Sequence, residues 1–212
     1  MGTYKSEREK MVNNQIARRG ITDERILEAM RKVSRHLFMP EEARKVAYRD
    51  APIKIGEGQT ISQPYIVALM TSLLKVKAHH KVLDVGTGSG YQAAILAELG
   101  AEVFSIERHS ELAKGAESLL DKLGYENVTV IVGDGTQGFK AFAPYDRILV
   151  AAAAPEVPKS LKIQLADGGR LVIPVGSRLA HTLEVLKKNG EKFHREPNIG
   201  VMFVPLLGEN GW

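Results

Sequence analysis

The segment Asp84-Val85-Gly86-Thr87-Gly88-Ser89-Gly90 directly follows an apolar run, Lys81 to Val85, and directly precedes a helix-forming stretch that begins at Tyr91. A glycine-rich turn in that setting is informative, because its glycines let the backbone bend sharply and approach a ligand closely. The helix that follows offers unpaired N–H groups at its N-terminus. The turn therefore predicts a βα unit with a nucleotide-like ligand at its bend.

The rest of the chain agrees with that unit. Strand Lys81 to Val85, helix Tyr91 to Leu99, strand Glu102 to Ile106, helix Ser110 to Leu123 and strand Val128 to Val132 alternate as parallel βαβ units do. Ile148 to Ala152, Arg170 to Pro174, Thr182 to Leu186 and Val201 to Val204 read as further strands, the last two antiparallel because little helix separates them. Upstream, Tyr4 to Arg19 is helix-permissive and Gly20 stops it. A second helix carries Ile26, Leu27, Met30 and Val33 behind Thr22 and Asp23, which suit a cap. Pro40 marks a break, Glu41 to Ala47 reads as a short helix, and Tyr48 to Pro64 as a long irregular loop of the kind that is often functional. Pro64 suits the first turn of a helix whose apolar face holds Ile66, Val67, Leu69, Met70, Leu73 and Leu74.

Composition narrows the class. The 212 residues are 44% hydrophobic and 25% charged, an ordinary globular balance. No apolar run reaches the roughly 18 residues that a membrane span needs, and Met1 to Lys10 is polar and unlike a signal peptide. The expectation is a cytoplasmic protein with no membrane partner. With no cysteine in the chain, disulfides, thiolate metal sites and a cysteine nucleophile are excluded. The six histidines show no metal spacing, so no metal is expected. The net charge of +4 comes from Lys and Arg scattered among Asp and Glu. No basic stripe with interleaved aromatics appears, so no nucleic-acid partner is expected.

The glycines fall as G-x-G-x-G, whereas a dinucleotide fold usually spaces them G-x-G-x-x-G. With Asp84 two positions before Gly86, this spacing resembles that of methyltransferases that use S-adenosyl-L-methionine. That donor carries an ammonium and a sulfonium centre and no phosphate, so a nearby carboxylate suits it. Asp84, Gly86, Thr87, Gly88, Ser89 and Gly90 are the candidate donor-binding turn. Glu107, ending the second core strand, is placed to accept hydrogen bonds from both ribose hydroxyls. Arg108 is a candidate to flank the adenine. Gly133-Asp134-Gly135 ends the third core strand, where the acid is a candidate contact to the adenine amino group through side chain or backbone. His109 stands near Glu107 but reads as a surface imidazole.

Three further segments carry a more specific resemblance: Gln59-Thr60-Ile61-Ser62-Gln63-Pro64, Ala151-Ala152-Ala153-Ala154-Pro155 and Gly200-Val201-Met202-Phe203-Val204-Pro205-Leu206. With Gly133 to Gly135 and Gly168 to Gly176 they make the chain resemble the protein-L-isoaspartate (D-aspartate) O-methyltransferase family from Met11 to Leu207. The resemblance implies a Rossmann-like S-adenosylmethionine-dependent methyltransferase fold, a mostly parallel central sheet flanked by helices with an N-terminal helical extension. A single domain over 1–212 is expected, with a helical and substrate-loop region at 1–64 and a donor-binding core at 65–212. The implied activity is repair. A methyl group passes from S-adenosyl-L-methionine to the free α-carboxylate of an L-isoaspartyl residue, leaving S-adenosyl-L-homocysteine. The ester then closes to a succinimide, whose hydrolysis returns some normal aspartate. The implied partners are isoaspartyl-containing proteins and peptides, and a monomer is expected.

In that family the active-site hydroxyl matches Ser62, with Thr60 a second candidate for the same carboxylate or for the donor. Neither acts as a nucleophile in this reading. Read without the resemblance, Ser62 suits a cap for the helix entered at Pro64 equally well. The alanines from 151 leave room for a substrate backbone or for close helix packing, and both stay open. So does the role of the tail from Val204 to Leu207, as a substrate cover or a plain terminal strand. Two rivals remain: the same donor site serving RNA or a small molecule, and a binding module that has lost the reaction. No Asn-Pro-Pro-Tyr type motif follows the fourth core strand, which weighs against amino-group transfer.

Overall fold

The computed structural model describes residues 2–212; Met1, where the expected domain begins, lies outside them. The N-terminal helical path is not one regular helix. Helix α1 (Gly2–Lys10) widens into a π turn over Met11–Ile16, tightens into a 3-10 turn over Ala17–Arg19, and stops at Gly20 with a left-handed φ of 94°. The wide turn buries Met11, Val12 and Ile16. Helix α2 (Glu24–Lys32) starts at Asp23, whose carboxylate accepts the Arg25 N–H at 3.1 Å, and buries Ile26, Leu27, Ala29 and Met30. The short helix expected from Glu41 is a 3-10 turn, Glu41–Val46.

The expected loop from Tyr48 to Pro64 holds a hairpin, strands β1 (Ile53–Gly56) and β2 (Gln59–Ile61), reversed at Glu57 and Gly58 with φ of 50° and 69°. Helix α3 (Pro64–Leu74) follows. The core then runs β3 (Lys81–Val85), α4 (Tyr91–Glu98), β4 (Glu102–Glu107), α5 (Ser110–Lys122), β5 (Val128–Val132), β6 (Tyr145–Val150), α6 (Lys159–Gln164), β7 (Leu165–Gly176), β8 (His181–Asn189) and β9 (Lys192–Val201).

Seven strands form one sheet in the order β5-β4-β3-β6-β7-β8-β9. The first five are mutually parallel, and β7-β8 and β8-β9 are antiparallel. This is the mostly parallel sheet expected. The last strand differs: it ends at Val201 rather than beginning there. As an edge strand β9 is exposed along most of its length, so it lacks the apolar alternation that marks a strand in sequence.

Successive residues of each core strand serve opposite faces. Val82, Val103, Leu149 and Val172 join the cluster that contains α2, α3 and α4, while Leu83, Phe104, Ile148 and Leu171 join the cluster on the other face. The N-terminal extension is thus part of one layer of the core. Strand order reverses between β3 and its two neighbours, β4 on one side and β6 on the other. At such a reversal the connections leave in opposite directions and open a crevice beyond the carboxyl ends of the strands.

The turn after β3 closes that crevice on one side. Gly90 has φ 88°, and a Cβ there would lie 3.2 Å from Leu120 Cδ1 of α5. Its role is close packing. Gly90→Ala should therefore cost about 2 kcal/mol from the left-handed backbone alone, lowering the melting temperature by roughly 4–8 °C for a chain of this size. An unchanged melting curve would contradict the assignment.

Candidate active site

The crevice holds a cavity of about 900 Å³, counted with its open mouth. Its walls come from the glycine turn, from the end of β4 at Ile106 to His109, from Gly135, from Ala151 and Ala152 after β6, from the β2 segment Gln59 to Ser62, and from the tail Val204 to Leu207. Of the residues expected around the donor, Gly86, Thr87, Gly88, Ser89, Glu107, Arg108 and Gly135 line it, as do Thr60 and Ser62. Met70, Tyr91 and Gln92 join them without having been expected at the site, and so do Gln59 and the tail, whose role the sequence left open.

Four expected residues sit behind the wall. Asp84 is wholly buried and accepts a hydrogen bond from Ser105 Oγ at 2.8 Å, and Ser105 in turn pairs with Thr87 Oγ1 at 2.6 Å. Its other carboxyl oxygen has no partner. Burial, with Glu107 adding like charge, pushes this carboxyl up to about 7 although Ser105 pulls it down. Asp84 therefore braces the turn from behind rather than facing a ligand. Gly90 packs against Leu120, and Gly133 packs against Ile106 while donating its N–H to the Glu107 carbonyl at 2.9 Å.

Asp134 is the fourth. Its Oδ1 accepts from the Thr136 N–H at 2.9 Å and hydroxyl at 2.7 Å, and its Oδ2 accepts the Glu209 N–H at 2.9 Å. Burial opposes ionisation, but these bonds outweigh it and hold the carboxyl below the usual range. The side chain fastens the C-terminal tail, which leaves the backbone as the other expected route to an adenine. Trp212 completes the fastening by donating its indole N–H to the Ala153 carbonyl at 3.0 Å.

Glu107 lies on the cavity wall. It is 5% exposed, and its two oxygens accept the Gly88 N–H at 2.9 Å and the His109 N–H at 3.0 Å. That holds the carboxylate at the wall with lone pairs to spare. Gly88, with φ 53°, lets the β1 residue Ile55 come close: a Cβ at Gly88 would lie 3.3 Å from Ile55 Cδ1. The hairpin thus rests on the turn. His109, expected at the surface, lines the cavity and faces Glu57 of the hairpin bend with Nδ1 3.8 Å from the carboxylate. The alternation Ile53-Lys54-Ile55 before Gly56-Glu57-Gly58 was the signal for this hairpin.

Ser62 does not cap α3. The helix is capped at Gln63 with no side-chain bond from that position, and Asp50 reaches across instead. One Asp50 oxygen accepts the Tyr65 N–H at 3.3 Å, and the other accepts Gln63 Nε2 at 2.7 Å and Arg19 Nη1 at 2.7 Å. The Ser62 hydroxyl makes no hydrogen bond among the described residues, and Ser62 lines the cavity. A second, open groove begins there, running past Gln63, Tyr65 and Arg19 on one side and Leu179 to His181 and Ile199 to Val204 on the other. Cavity and groove share four residues, Thr60, Ser62, Ala151 and Val204.

A buried carboxylate on the wall, a turn whose Gly86, Gly88 and Gly90 all have left-handed φ, and apolar Ile106 and Leu206 beside it suit a nucleoside-like ligand. The fold and this site define an S-adenosylmethionine-dependent methyltransferase. Comparisons with known proteins narrow the class. A model of the protein-L-isoaspartate(D-aspartate) O-methyltransferase family matches residues 6–211. A protein-L-isoaspartate O-methyltransferase of Methanoculleus marisnigri is 55% identical over 206 residues, 97% of this chain and 94% of the relative. One from Dictyoglomus thermophilum is 50% identical over 209 residues, 99% and 94% of the two chains. Among solved structures, a protein-L-isoaspartate O-methyltransferase superposes with TM-score 0.84 at 29% identity, covering 96% of this chain and 66% of that one. A Plasmodium falciparum protein of the same description, in complex with S-adenosyl-L-homocysteine, gives 0.80 at 27% identity, covering 96% and 98%. The chain belongs to the protein-L-isoaspartate (D-aspartate) O-methyltransferase family. Among the described residues, no helix is long and apolar enough to cross a membrane.

Two outcomes follow from the wall. Glu107→Gln removes a charged acceptor, an interaction of about 1.5–3 kcal/mol, so S-adenosyl-L-homocysteine should bind at least tenfold more weakly by calorimetry; unchanged affinity would remove Glu107 from the donor site. Asp84 holds its proton more tightly folded than unfolded, with about 7 against 3.8. The unfolded chain then binds fewer protons in that window, and the stability that Asp84 lends is lost as pH rises from about 4 to 7. Asp84→Asn should cancel this loss, so its melting temperature relative to wild type should climb between pH 5 and pH 8. Parallel pH profiles would contradict the buried, protonated carboxyl.

Proposed function

We propose that the cavity holds S-adenosyl-L-methionine, that the groove holds an isoaspartyl-containing protein or peptide, and that methyl transfer takes place where Thr60, Ser62, Ala151 and Val204 border both. The observation that carries this reading is that shared border, with a serine hydroxyl on it that makes no hydrogen bond among the described residues. Glu107 takes the ribose hydroxyls. Arg108 flanks the adenine, and the backbone of the Asp84 to Gly90 turn and Gly135 supply the close walls.

An α-carboxylate with a pKa near 4 is ionised at neutral pH, so the nucleophile needs no general base. One carboxylate oxygen attacks the methyl carbon as the carbon–sulfur bond breaks and its electron pair stays on sulfur, giving a neutral ester and a neutral thioether. Two opposite charges are cancelled and no proton moves. What the chain supplies is position: Ser62, and Thr60 beside it, donate hydrogen bonds that aim the carboxylate in line with the bond to be broken. Small side chains at Ala151 and Ala152 leave space for the acceptor backbone. Ring closure of the ester to a succinimide and hydrolysis toward L-aspartyl then proceed without the enzyme. One chain walls both cavities, which supports action as a monomer on exposed segments of damaged proteins, with neither nucleic acid nor membrane as partner.

Ser62→Ala tests the border. Loss of a hydrogen bond to a charged acceptor, about 1.5–3 kcal/mol, should lower kcat/KM for an isoaspartyl peptide roughly 10- to 100-fold while S-adenosyl-L-homocysteine affinity stays within about twofold. Full activity in the variant would take Ser62 out of the reaction.

A further inference from the structure

His181 opens β8, paired in register with Gly176 of β7 and Val201 of β9, and it is only 5% exposed. The ring is held by one bond: the Phe203 backbone N–H donates to its Nδ1 at 3.3 Å. A nitrogen that accepts an amide proton carries none itself, so in the neutral ring the proton sits on Nε2. That Nε2–H makes no hydrogen bond among the described residues, yet it is not sealed away as the unpartnered nitrogens of Arg35 are. Its residue lines the open groove that begins at Ser62 and does not line the donor cavity.

An N–H that reaches an open groove from a ring held in place by its backbone is positioned to donate to whatever occupies that groove. The geometry points to His181 as a further acceptor-binding residue, whose Nε2–H donates to a backbone carbonyl oxygen of the acceptor segment next to its isoaspartyl residue. The inference rests on the reading of this groove as the acceptor site. A carbonyl fits better than the reacting carboxylate because Thr60 and Ser62 stand on the border with the donor cavity and His181 stands one step beyond it. The sheet fixes its backbone on both sides, so the donor is preorganised. It would grip the main chain without regard to side chains, as an enzyme that meets many damaged sequences requires.

The test compares wild type, His181→Gln and His181→Leu on one isoaspartyl peptide and on analogues in which each flanking peptide bond in turn is replaced by an alkene. Glutamine keeps an acceptor for Phe203 and an N–H for the groove, and leucine keeps neither. His181→Leu should raise the peptide KM about tenfold, the worth of one neutral hydrogen bond. His181→Gln should stay within about twofold, and both variants should bind S-adenosyl-L-homocysteine as wild type does. One alkene analogue should cost wild type a similar factor and cost His181→Leu nothing more. An unchanged peptide KM in the leucine variant, or equal sensitivity of wild type and variant to every analogue, would overturn the inference. No methylation of the parent peptide by wild type would overturn the acceptor reading beneath it.

Discussion

Behind the glycine turn, the Asp84 carboxyl, the Ser105 hydroxyl and the Thr87 hydroxyl form a short buried chain of hydrogen bonds that ties β3, β4 and the turn together. The arrangement is expensive, since a buried acid stays neutral or pays heavily to ionise. Its effect is to hold the turn where β3 and β4 end side by side, so that Glu107 can accept the Gly88 N–H and keep its carboxylate at the cavity wall. On the other flank the Ala151 N–H donates to the Val85 carbonyl at 2.8 Å, setting small residues beside the same turn. This side of the cavity thus belongs to the sheet.

The border between cavity and groove is assembled from more distant chain. The β1–β2 hairpin brings Thr60 and Ser62 down onto the turn through Ile55, and Asp50 takes over the capping of α3 so that Ser62 need not do it. The tail enters from the far end of the sequence and is fastened by Asp134 and by Trp212. A close contact between Gly208 and the Asp134 carboxylate leaves no space for a side chain there. The cavity and the groove therefore share residues separated by much of the chain, among them Ser62 and Val204.

The core strands and the donor turn were legible in the sequence because a buried parallel strand is apolar throughout and a glycine turn is short and local. The place of Glu107 on the cavity wall was readable for the same reason, since it stands at a strand end. Asp84 and Asp134 misled, since an acid beside a glycine turn or between two glycines looks like a ligand group. Only tertiary structure shows that Ser105 or the Glu209 N–H claims it first. The hairpin was hidden by its length, with three and four residues per strand. β9 was hidden by its polarity and α6 by its six residues. The freedom of the Ser62 hydroxyl depends on Asp50, a contact no local pattern encodes. His109 and His181 looked like isolated imidazoles because both owe their place in a wall to elements far along the chain.

The account as a whole requires that the border between cavity and groove select a carboxylate placed as in an isoaspartyl residue. The direct measurement is transfer of a labelled methyl group from S-adenosyl-L-methionine to an isoaspartyl peptide and to the matched aspartyl peptide under one set of conditions. Base-labile label is expected on the isoaspartyl peptide and none above background on the aspartyl one. Equal labelling of the two, or label that survives base, would contradict it.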